Sequence, residues 1–488
     1  MITLPLELYR ARQVRELDSI AIEQRGIPGF QLMSRAGLAA FQTLREQWPE
    51  ADSLAVFCGA GNNAGDGYIV ARLALESGML VTVYAVSPSE KLHGDACLAM
   101  QNYQQIGGEI VPFQPGMECH ADIVIDALLG TGLDRPVTGI HAQAIETINA
   151  LNRPVLALDI PSGLHADSGC VLGCAVRACC TIAFIGLKRG QFTGEAADYC
   201  GTLYFSSLEV PQEIYFGMPV AAWRLTEPRL PRRRRCAHKG SNGHVLVIGG
   251  EQGYSGAVRM AAEAAARVGA GLVSIATRAA HAALMNSGRP ELMGHGVENT
   301  RQLRPLLDKA TVIVVGPGLG RSQWAGDLFH AALQSGKPLL IDADGLNLLA
   351  DTALSNERWV LTPHPGEAAR LLGCSVQEVQ RDRFAAADAL QQRYSGCVVL
   401  KGAGTLIVDG SDTYVNGTGN PGMASGGMGD VLSGVIAGLM AQGTAVVEAA
   451  RSGVYIHGAA ADRAAEQGER GMLAGDLLAH LRRLVNGQ

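Results

Sequence analysis

Short apolar runs alternate with helical segments along the whole chain, and many of these runs end in a glycine-rich turn. Such alternation is typical of α/β proteins whose sheets are mostly parallel. The predicted strands of the first half are SLAVFCG, MLVTVYAV, ADIVIDALLG and PVLALDIPSG. Those of the second half are GHVLVIGG, GLVSIAT, ATVIVVGPG, KPLLIDADG, RWVLTP and CVVLKGAG. The pattern predicts two α/β domains.

The stretch between the two halves differs from them in composition and periodicity. It reads VPQEIYFGMPVAAWRLTEPRLPRRRR, contains four prolines and shows no clear periodicity. Proline-rich segments of this kind are typical of domain boundaries. The sequence therefore predicts a first domain over residues 1–215, a linker over 216–225 and a second domain over 226–488.

Length and composition narrow the functional classes. The chain has 488 residues, of which 47% are hydrophobic and 18% charged, as in an ordinary globular protein of more than one domain. The net charge of −6 gives no overall basis for nucleic-acid binding, so the four arginines 232–235 are interpreted as a solvated segment. The uncharged run 431–447 is too short and too polar for a membrane span and predicts a buried helix followed by a turn.

The cysteines indicate a reducing environment. There are eleven of them, and the start MITLPLELYRARQ lacks the basic and apolar segments of a signal peptide, which predicts a cytoplasmic protein. Cys170, Cys174, Cys179 and Cys180 cluster, and a zinc site is one interpretation. The segment is apolar and lacks paired CxxC spacing, so buried structural thiols are the favoured interpretation.

The segment AVFCGAGNNAGDGYIVARLALESG predicts a strand, a glycine loop and a helix. Gly59, Gly61 and Ala64 satisfy a loose dinucleotide-binding pattern. The next predicted strand has no acidic residue at its end, so the usual contact to an adenosine ribose is not expected. The loop instead offers two adjacent asparagines and Asp66 beside backbone amides suited to phosphate.

Two further strand ends in the first half carry polar groups. Asp126 lies in IDALLGTGLDRPVTG, and Asp159 and Ser162 lie in LALDIPSGLHADSG. Ligands of parallel α/β sheets bind at the carboxyl ends of the strands, so we expect these residues and Asn63 to converge on one crevice. Their oxygen atoms favour an alkali or alkaline-earth ion. Helix N-capping is the alternative role for each aspartate.

In the second half, polar side chains follow several predicted strands. IDADGLNLL contains Asp342, and TPHPGE presents His364 and Glu367 at a predicted helix start, where Glu367 is either a capping residue or a site residue. KGAGT places Lys401 at a strand end. A lysine charge beside free backbone amides suits a nucleotide phosphate.

The stretch GNPGMASGGMGDVLSG, residues 419–434, contains six glycines and a single charged residue, Asp430. These glycines allow consecutive N–H groups to turn toward one point before an apolar helix, which predicts an anion hole. Asp430 is then either an N-cap or a base that deprotonates a hydroxyl during phosphoryl transfer. The small and flexible residues before it exceed what a cap needs and favour the base.

The motifs GAGNNAGDG, DALLGTGLDRPVTG and DIPSGLHADSG resemble those of the NAD(P)H-hydrate epimerases, over about residues 8–210. The resemblance implies a Rossmann-like, doubly wound domain that interconverts the R and S epimers of nicotinamide cofactors hydrated at C6. It implies a potassium ion held by Asn63, Asp126 and Ser162. Inverting such a carbon needs proton transfers, for which Asp159 is the candidate general acid/base.

The same resemblance implies a set of contacts to the hydrated cofactor: Asn62, Asn63, Ala64, Gly65, Asp66, Gly130, Thr131, Gly132, Leu133, Asp134, Arg135, Pro136 and Asp159. Ala64 stands where the family usually has glycine. Alanine requires a negative φ or a small strain cost, so a slightly different loop is expected.

The motifs GYSGA, GPGLG, TPHPGE, KGAGT and NPGMASGGMGDVLSG resemble the NAD(P)H-hydrate dehydratases of the ribokinase-like superfamily, over about residues 225–485. The resemblance implies that a nucleotide phosphorylates the C6 hydroxyl of the S hydrate, and that loss of phosphate restores NADH or NADPH. Bacterial-type members use ADP, others ATP, with magnesium bridging the phosphates. The implied hydrate contacts are Ala257, Gly318, His364 and Asp430, with Asp430 as the base. The implied nucleotide contacts are Lys401, Gly402, Ala403, Gly404, Thr405 and Gly429.

Together the two halves predict an enzyme that repairs hydrated cofactors. The expected partners are the small molecules NADHX, NADPHX and ADP, without nucleic acid or membrane, and a homo-oligomer is expected. The alternative is a ribokinase-like small-molecule kinase fused to a non-catalytic dinucleotide-binding or scaffold domain.

Overall fold

The computed structural model describes residues 4–487. The chain divides after Trp223 into two compact units. Each unit has a mostly parallel sheet with helices on its faces, which confirms the predicted α/β class.

The first unit contains a seven-stranded, fully parallel sheet. The strands of this part of the chain are β1 (Glu7–Tyr9), β2 (Ser53–Cys58), β3 (Leu80–Ala85), β4 (Glu109–Pro112), β5 (Ile123–Ala127), β6 (Val155–Leu158), β7 (Cys180–Phe184), β8 (Leu187–Lys188), β9 (Thr202–Ser206) and β10 (Ala222–Arg224), of which β1, β8 and β10 lie outside the seven-stranded sheet and β10 spans the boundary of the unit. Its helices are α1 (Ala11–Ser19), α2 (Gly29–Gln47), α3 (Asn62–Glu76), α4 (Gly94–Gln105) and α5 (Gly139–Ala150).

The order of the sheet is β4-β3-β2-β5-β6-β7-β9, while β1 pairs with β8 and β10. One core lies between the sheet and α2, α3 and α4, and a second lies under α5. The strand order reverses between β2 and β5, as in doubly wound folds. The carboxyl ends of these two strands therefore flank the crevice where such folds bind ligands.

The second unit has a nine-strand array and more helices. Its strands are β11 (His244–Ile248), β12 (Leu272–Thr277), β13 (Met293–Gly296), β14 (Val312–Val315), β15 (Leu339–Ile341), β16 (Trp359–Leu361), β17 (Cys397–Leu400), β18 (Leu406–Val408) and β19 (Thr413–Val415). Its helices are α6 (Ser255–Arg267), α7 (Ala279–Ala282), α8 (Thr300–Lys309), α9 (Gln323–Gln334), α10 (Asp344–Leu349), α11 (Pro365–Leu372), α12 (Val376–Arg381), α13 (Arg383–Tyr394), α14 (Met428–Ala441), α15 (Val446–Ala465) and α16 (Ala474–Leu484).

The order of these strands is β13-β12-β11-β14-β15-β16-β17-β18-β19. The first seven are parallel, and β18 and β19 are antiparallel. The order reverses between β11 and β14, so the glycine loops that follow these two strands meet at one crevice.

The apolar helix α14 is the centre of the second unit. Every residue from Val431 to Ala441 is buried, and four residues separate α14 from α15. This confirms the predicted buried helix followed by a turn. Among residues 4–487, each helix is too short or too polar to cross a bilayer.

Gly434 lets α14 approach α6 closely. A Cβ at Gly434 would lie 2.0 Å from the backbone oxygen of Ala261, which cannot move aside easily. We expect Gly434→Ala to lower the free energy of unfolding of the second unit by about 1–3 kcal/mol, the usual cost of overpacking. Thermal unfolding checks this, with Gly326→Ala in α9 as the matched control. A Cβ at Gly326 meets no atom within 4 Å, so that variant should be neutral or slightly more stable. Equal melting of both variants would contradict the packing argument.

Candidate active sites

The glycine loop after β2 lies against the loop after β5. A Cβ at Gly59 would lie 2.0 Å from the Leu128 backbone oxygen, so this close approach requires glycine. The side-chain amide of Asn63 donates to the Leu129 carbonyl oxygen at 3.2 Å. The Oδ1 atom of Asn63 is buried and has no hydrogen-bond partner among residues 4–487. Leaving a buried acceptor without a partner costs free energy, so a bound cation or donor at this atom would be stabilising.

Ala64 and Gly65 lie in the first turn of α3, and both are buried. The backbone of Ala64 is helical rather than left-handed, so alanine is not strained at this position. A Cβ at Gly65 would collide with the Met33 sulfur at 2.5 Å. These two residues therefore seat α3 rather than face the crevice.

The fully buried carboxylate of Asp126 is held by Ser162. The backbone N–H of Ser162 donates to Oδ2 at 2.7 Å, and its hydroxyl donates to Oδ1 at 2.6 Å. The same hydroxyl oxygen accepts from the Leu129 N–H at 2.8 Å, which links the pair to Asn63. Burial raises the pKa of Asp126 to about 6, against the lowering effect of the Ser162 bonds. The capping role is wrong for Asp126, and the structure brings Asn63, Asp126 and Ser162 together.

Asp159 follows β6 in a left-handed backbone conformation, with a φ of +67°. Its N–H donates to the Ile182 carbonyl oxygen at 2.8 Å, and its own carbonyl oxygen accepts from Gln191 Nε2 at 3.0 Å. Its carboxylate is paired with the ammonium group of Lys188, whose side chain is fully buried. No helix begins here, so the capping role is wrong for Asp159 as well.

Two more carboxyl groups accompany Asp159. Asp18 of α1 and Asp66 of α3 line the same cavity. Burial, followed by the charge of Asp159, raises the pKa of Asp18 to about 7. Burial and the charges of Asp159 and Asp18 hold the pKa of Asp66 well above its usual value. Asp18, Asp66, Asp159 and Lys188 form the first carboxyl cluster, in which the raised pKa values of Asp18 and Asp66 favour their protonated, proton-donating form.

The cavity in front of this cluster has a volume of about 760 Å³. All seven residues 130–136 line it, together with Asn62 and Asn63. Asp126 and Ser162 are instead fully buried. The size is that of a site for an organic molecule such as a cofactor. The sequence interpretation missed Asp18 and Lys188.

In the second unit, the loops after β11 and β14 meet at the reversal of strand order. The N–H of Glu251 donates to the Gly318 carbonyl oxygen at 2.7 Å. Gly318 has a φ of +54°, and a Cβ there would lie 3.3 Å from the Cβ of Ala257. The structure therefore brings Ala257 and Gly318 together. The exposed ring of Tyr254 belongs to the same loop.

Lys401 forms a buried ion pair at the end of β17. Its Nζ lies 2.9 Å from Asp342 Oδ1, and Ser433 Oγ donates to Asp342 Oδ2 at 2.7 Å. Burial alone would raise the pKa of Asp342, but Lys401 holds it below the usual value. Burial alone would lower the pKa of Lys401, but Asp342 and Glu367 raise it. Both groups are therefore charged at neutral pH.

Glu367 lies beside this pair, with Oε2 3.9 Å from Lys401 Nζ. It also completes a capping box, because Oε2 accepts from the His364 N–H at 2.8 Å. Burial raises the pKa of Glu367 to about 7, against the lowering effect of Lys401. Burial and Lys401 lower the pKa of the half-exposed His364. Glu367 is thus both a cap, as one interpretation expected, and a buried titratable group.

Asp430 is the third residue of α14, and Gly427, with a φ of +91°, is the N-cap. The capping role is therefore wrong for Asp430. A Cβ at Gly429 would lie 3.1 Å from Lys401 Nζ, so the start of α14 is seated against that ammonium. Burial, followed by Asp342, raises the pKa of Asp430 to about 7, while Lys401 lowers it. Asp342, His364, Glu367, Lys401 and Asp430 form the second carboxyl cluster.

The loop after β17 turns on two left-handed glycines, Gly402 (φ +138°) and Gly404 (φ +59°). Thr405 Oγ1 donates back to the Gly402 carbonyl oxygen at 2.9 Å. The fully buried Arg383 donates to the carbonyl oxygens of Leu400 and Lys401, both at 3.2 Å. Arg383, which the sequence interpretation missed, thereby orients the start of the loop.

Comparisons with known proteins match both units. Residues 29–190 match the family described as "YjeF-related protein N-terminus", and residues 245–483 match the family described as "NAD(P)H-hydrate dehydratase". A bifunctional NAD(P)H-hydrate repair enzyme of Coxiella burnetii is 52% identical over 98% of this chain and 99% of its own length. The chain belongs to the family of bifunctional NAD(P)H-hydrate repair enzymes. The resemblances of both halves are thereby confirmed.

A second full-length relative and one solved structure of partial extent are also similar. The bifunctional NAD(P)H-hydrate repair enzyme of Escherichia coli is 44% identical over 99% of this chain and 95% of its length. A ribokinase-like superfamily protein of Enterococcus faecalis has a solved structure that is similar with a TM-score of 0.49. It is 31% identical and covers 52% of this chain and 91% of that protein.

Proposed function

We propose that this protein epimerises the R and S hydrates of NADH and NADPH in its first unit and dehydrates the S hydrate in its second. The observation that carries the proposal is family membership along the whole chain, joined to one carboxyl cluster in each unit. We assign the epimerase to residues 1–215, the linker to 216–225 and the dehydratase to 226–488. Because hydration gives both epimers, an epimerase makes the whole damaged pool available to a stereospecific dehydratase.

In the first unit, Asp159 acts as the general acid/base at C6. Its carboxylate lines the cavity and is paired with the buried ammonium group of Lys188, which holds it in position. The hydrate contacts are those implied by the family motifs, from Asn62 to Asp66 and from Gly130 to Pro136. Ala64 and Gly65 contribute by seating α3, since neither lines the cavity.

A potassium ion fits the residues behind Leu129. Asn63 Oδ1 is a buried acceptor with no partner in the described part of the chain, and Asp126 and Ser162 add a carboxylate and a hydroxyl. Such hard oxygen atoms suit an alkali cation. Held by these three residues, the cation would offset the buried negative charge and fix the two loops that carry the hydrate contacts.

Potassium should therefore stabilise the first unit. We expect its unfolding temperature to rise with KCl but not with choline chloride at equal ionic strength. At a potassium concentration 100 times the dissociation constant, the free energy of unfolding should increase by about 2.7 kcal/mol. Asp126→Asn should remove this response. Asp122→Asn, at the exposed opposite end of the same strand, should keep it. An equal response of the native protein to both salts would contradict the cation site.

In the second unit, Asp430 takes the proton of the C6 hydroxyl while the phosphoryl group of ADP is transferred to that oxygen. Ala257, Gly318 and His364 contact the hydrate. The contacts to the nucleotide are Lys401, Gly402, Ala403, Gly404, Thr405 and Gly429. A magnesium ion bound with the nucleotide would neutralise phosphate charge during the transfer.

The decisive test uses separated R and S hydrates with ADP or ATP. We expect the S hydrate to regain the absorbance of reduced nicotinamide with ADP and to release AMP. The R hydrate should follow at a rate limited by the first unit. Phosphorylated product without recovery of NADH or NADPH would instead support the fused-kinase alternative.

Two further expectations stay predictions. Assembly into a homo-oligomer is checked by light scattering of the purified protein. A cytoplasmic location is checked by fractionation of the cells that express it.

A further inference from the structure

Restoring the nicotinamide ring requires the removal of two protons, and this requirement rests on the proposed dehydration. The first proton leaves the C6 hydroxyl when that oxygen accepts the phosphoryl group. Phosphate then leaves with the C6–O electron pair, and the N1 lone pair forms an N1=C6 iminium. The second proton must leave C5, so that its electrons form the C5=C6 bond and N1 regains its lone pair. Asp430 accounts for the first proton only.

Glu367 is the group best situated to remove the second proton, the one on C5. It is 7% exposed, and its Oε2 atom lies 3.9 Å from Lys401 Nζ. The same Nζ faces Gly429, the residue before Asp430. A Cβ placed on Gly429 would lie 3.1 Å from it. The charges of Glu367 and Asp430 therefore both act on this one ammonium group, and both raise the pKa of Lys401.

Asp342 and His364 are held by contacts of 2.9 Å or less at the atoms that could take a proton, whereas Oε1 of Glu367 has a looser contact, with His364 Nε2 at 3.4 Å. Both oxygens of Asp342 are occupied, one by Lys401 and the other by Ser433. His364 Nδ1 accepts the N–H of Gly366 at 2.9 Å and cannot take a further proton without losing that bond. Within this cluster, Glu367 and Asp430 are the two groups whose pKa is raised by burial to about 7.

Capping alone does not account for the burial of Glu367. Glu378 occupies the same position in the capping box of α12, where its Oε2 accepts from the Ser375 N–H at 2.8 Å. Glu378 is nevertheless exposed. A cap therefore needs no burial, and no ammonium group 3.9 Å away.

We propose that Glu367 is a second base of the dehydratase, which removes the C5 proton of the iminium after phosphate has left. The C5–H bond breaks, the proton passes to the Glu367 carboxylate, and the released electron pair forms the C5=C6 double bond. Lys401 favours the carboxylate form before the transfer. Glu367 then returns the proton to solvent.

The test is Glu367→Gln, measured as AMP formed per NADH recovered from the S hydrate and ADP. Glutamine keeps the oxygen that accepts the His364 N–H, so the capping box remains while the base is lost. In the native protein the two products form in equal amounts. In the variant the iminium is recaptured by water, so we expect AMP to exceed NADH at least about tenfold, and NADH formation to fall about 100-fold. The matched control, Glu378→Gln, should keep equal amounts and the native rate.

Each other outcome has one meaning. Equal amounts of AMP and NADH in Glu367→Gln would overturn the assignment, whatever the reaction rate. Phosphoryl transfer and not proton removal would then be the step affected. Loss of both products would overturn it for the same reason. Failure of the native protein to form NADH from the S hydrate with ADP or ATP would instead refute the proposed function itself.

Discussion

Asp430→Asn should lower dehydration of the S hydrate by about 100- to 10,000-fold, the range typical for loss of a general base. The asparagine has the same shape and keeps the start of α14 in place, while the carboxylate that accepts the hydroxyl proton is gone. The measurement is recovery of reduced nicotinamide under saturating ADP. Binding of ADP, measured by titration calorimetry, should persist because the contacts at Lys401 and the glycine loops remain.

The pH dependence of the native enzyme should agree with this role. A base must be ionised, and the pKa of Asp430 is about 7. AMP formation in a single turnover should therefore rise about tenfold for each pH unit below 7 and level off above it. Single-turnover AMP formation is the correct quantity, since steady-state NADH formation also reports the titration of Glu367. Near-normal turnover of Asp430→Asn would refute the base assignment, and so would a flat profile.

Asp159→Asn should abolish conversion of the R hydrate, with a loss of about 100-fold or more, while conversion of the S hydrate stays normal. Asparagine tolerates the left-handed backbone at this position, so the chain path is retained. The S hydrate, processed by the second unit of the same molecule, serves as an internal control. An unchanged rate with the R hydrate would refute the catalytic role.

The same substitution leaves the buried ammonium of Lys188 without its carboxylate. Breaking a buried pair in this way costs about 3–5 kcal/mol, so thermal unfolding must accompany the activity assay. Asp159→Asn combined with Lys188→Met removes both charges and separates stability from catalysis. This double variant should regain much of the lost stability but none of the activity toward the R hydrate.

Much of both sites could be predicted because their residues follow apolar strands directly. Asp159, Lys401 and the loop 130–136 each come within a few residues of a buried strand, and the carboxyl ends of parallel strands meet by geometry. Hydrophobic periodicity therefore located them without knowledge of the tertiary structure. The glycine stretch before Asp430 could be interpreted for the same reason.

Other site residues could not be predicted, because their roles depend on contacts between distant segments. Asp18 lies on α1, far in sequence from every glycine motif, and meets Asp66 and Asp159 only in the folded cavity. Lys188 gave a weak signal, a lysine in the apolar run TIAFIGLK, but its partner lies 29 residues earlier. The burial that raises the pKa of Glu367 is equally invisible in TPHPGE, which a surface capping box would also satisfy.

The residues of the two carboxyl clusters come from separate units, residues 18–188 in one case and 342–430 in the other. One translated chain thus supplies the two sites in a fixed one-to-one ratio. Changes in gene dosage or expression scale both activities together and cannot alter their balance. The relative capacity for the R and S forms is therefore an inherited property of the coding sequence, adjustable only by substitutions within one half or the other.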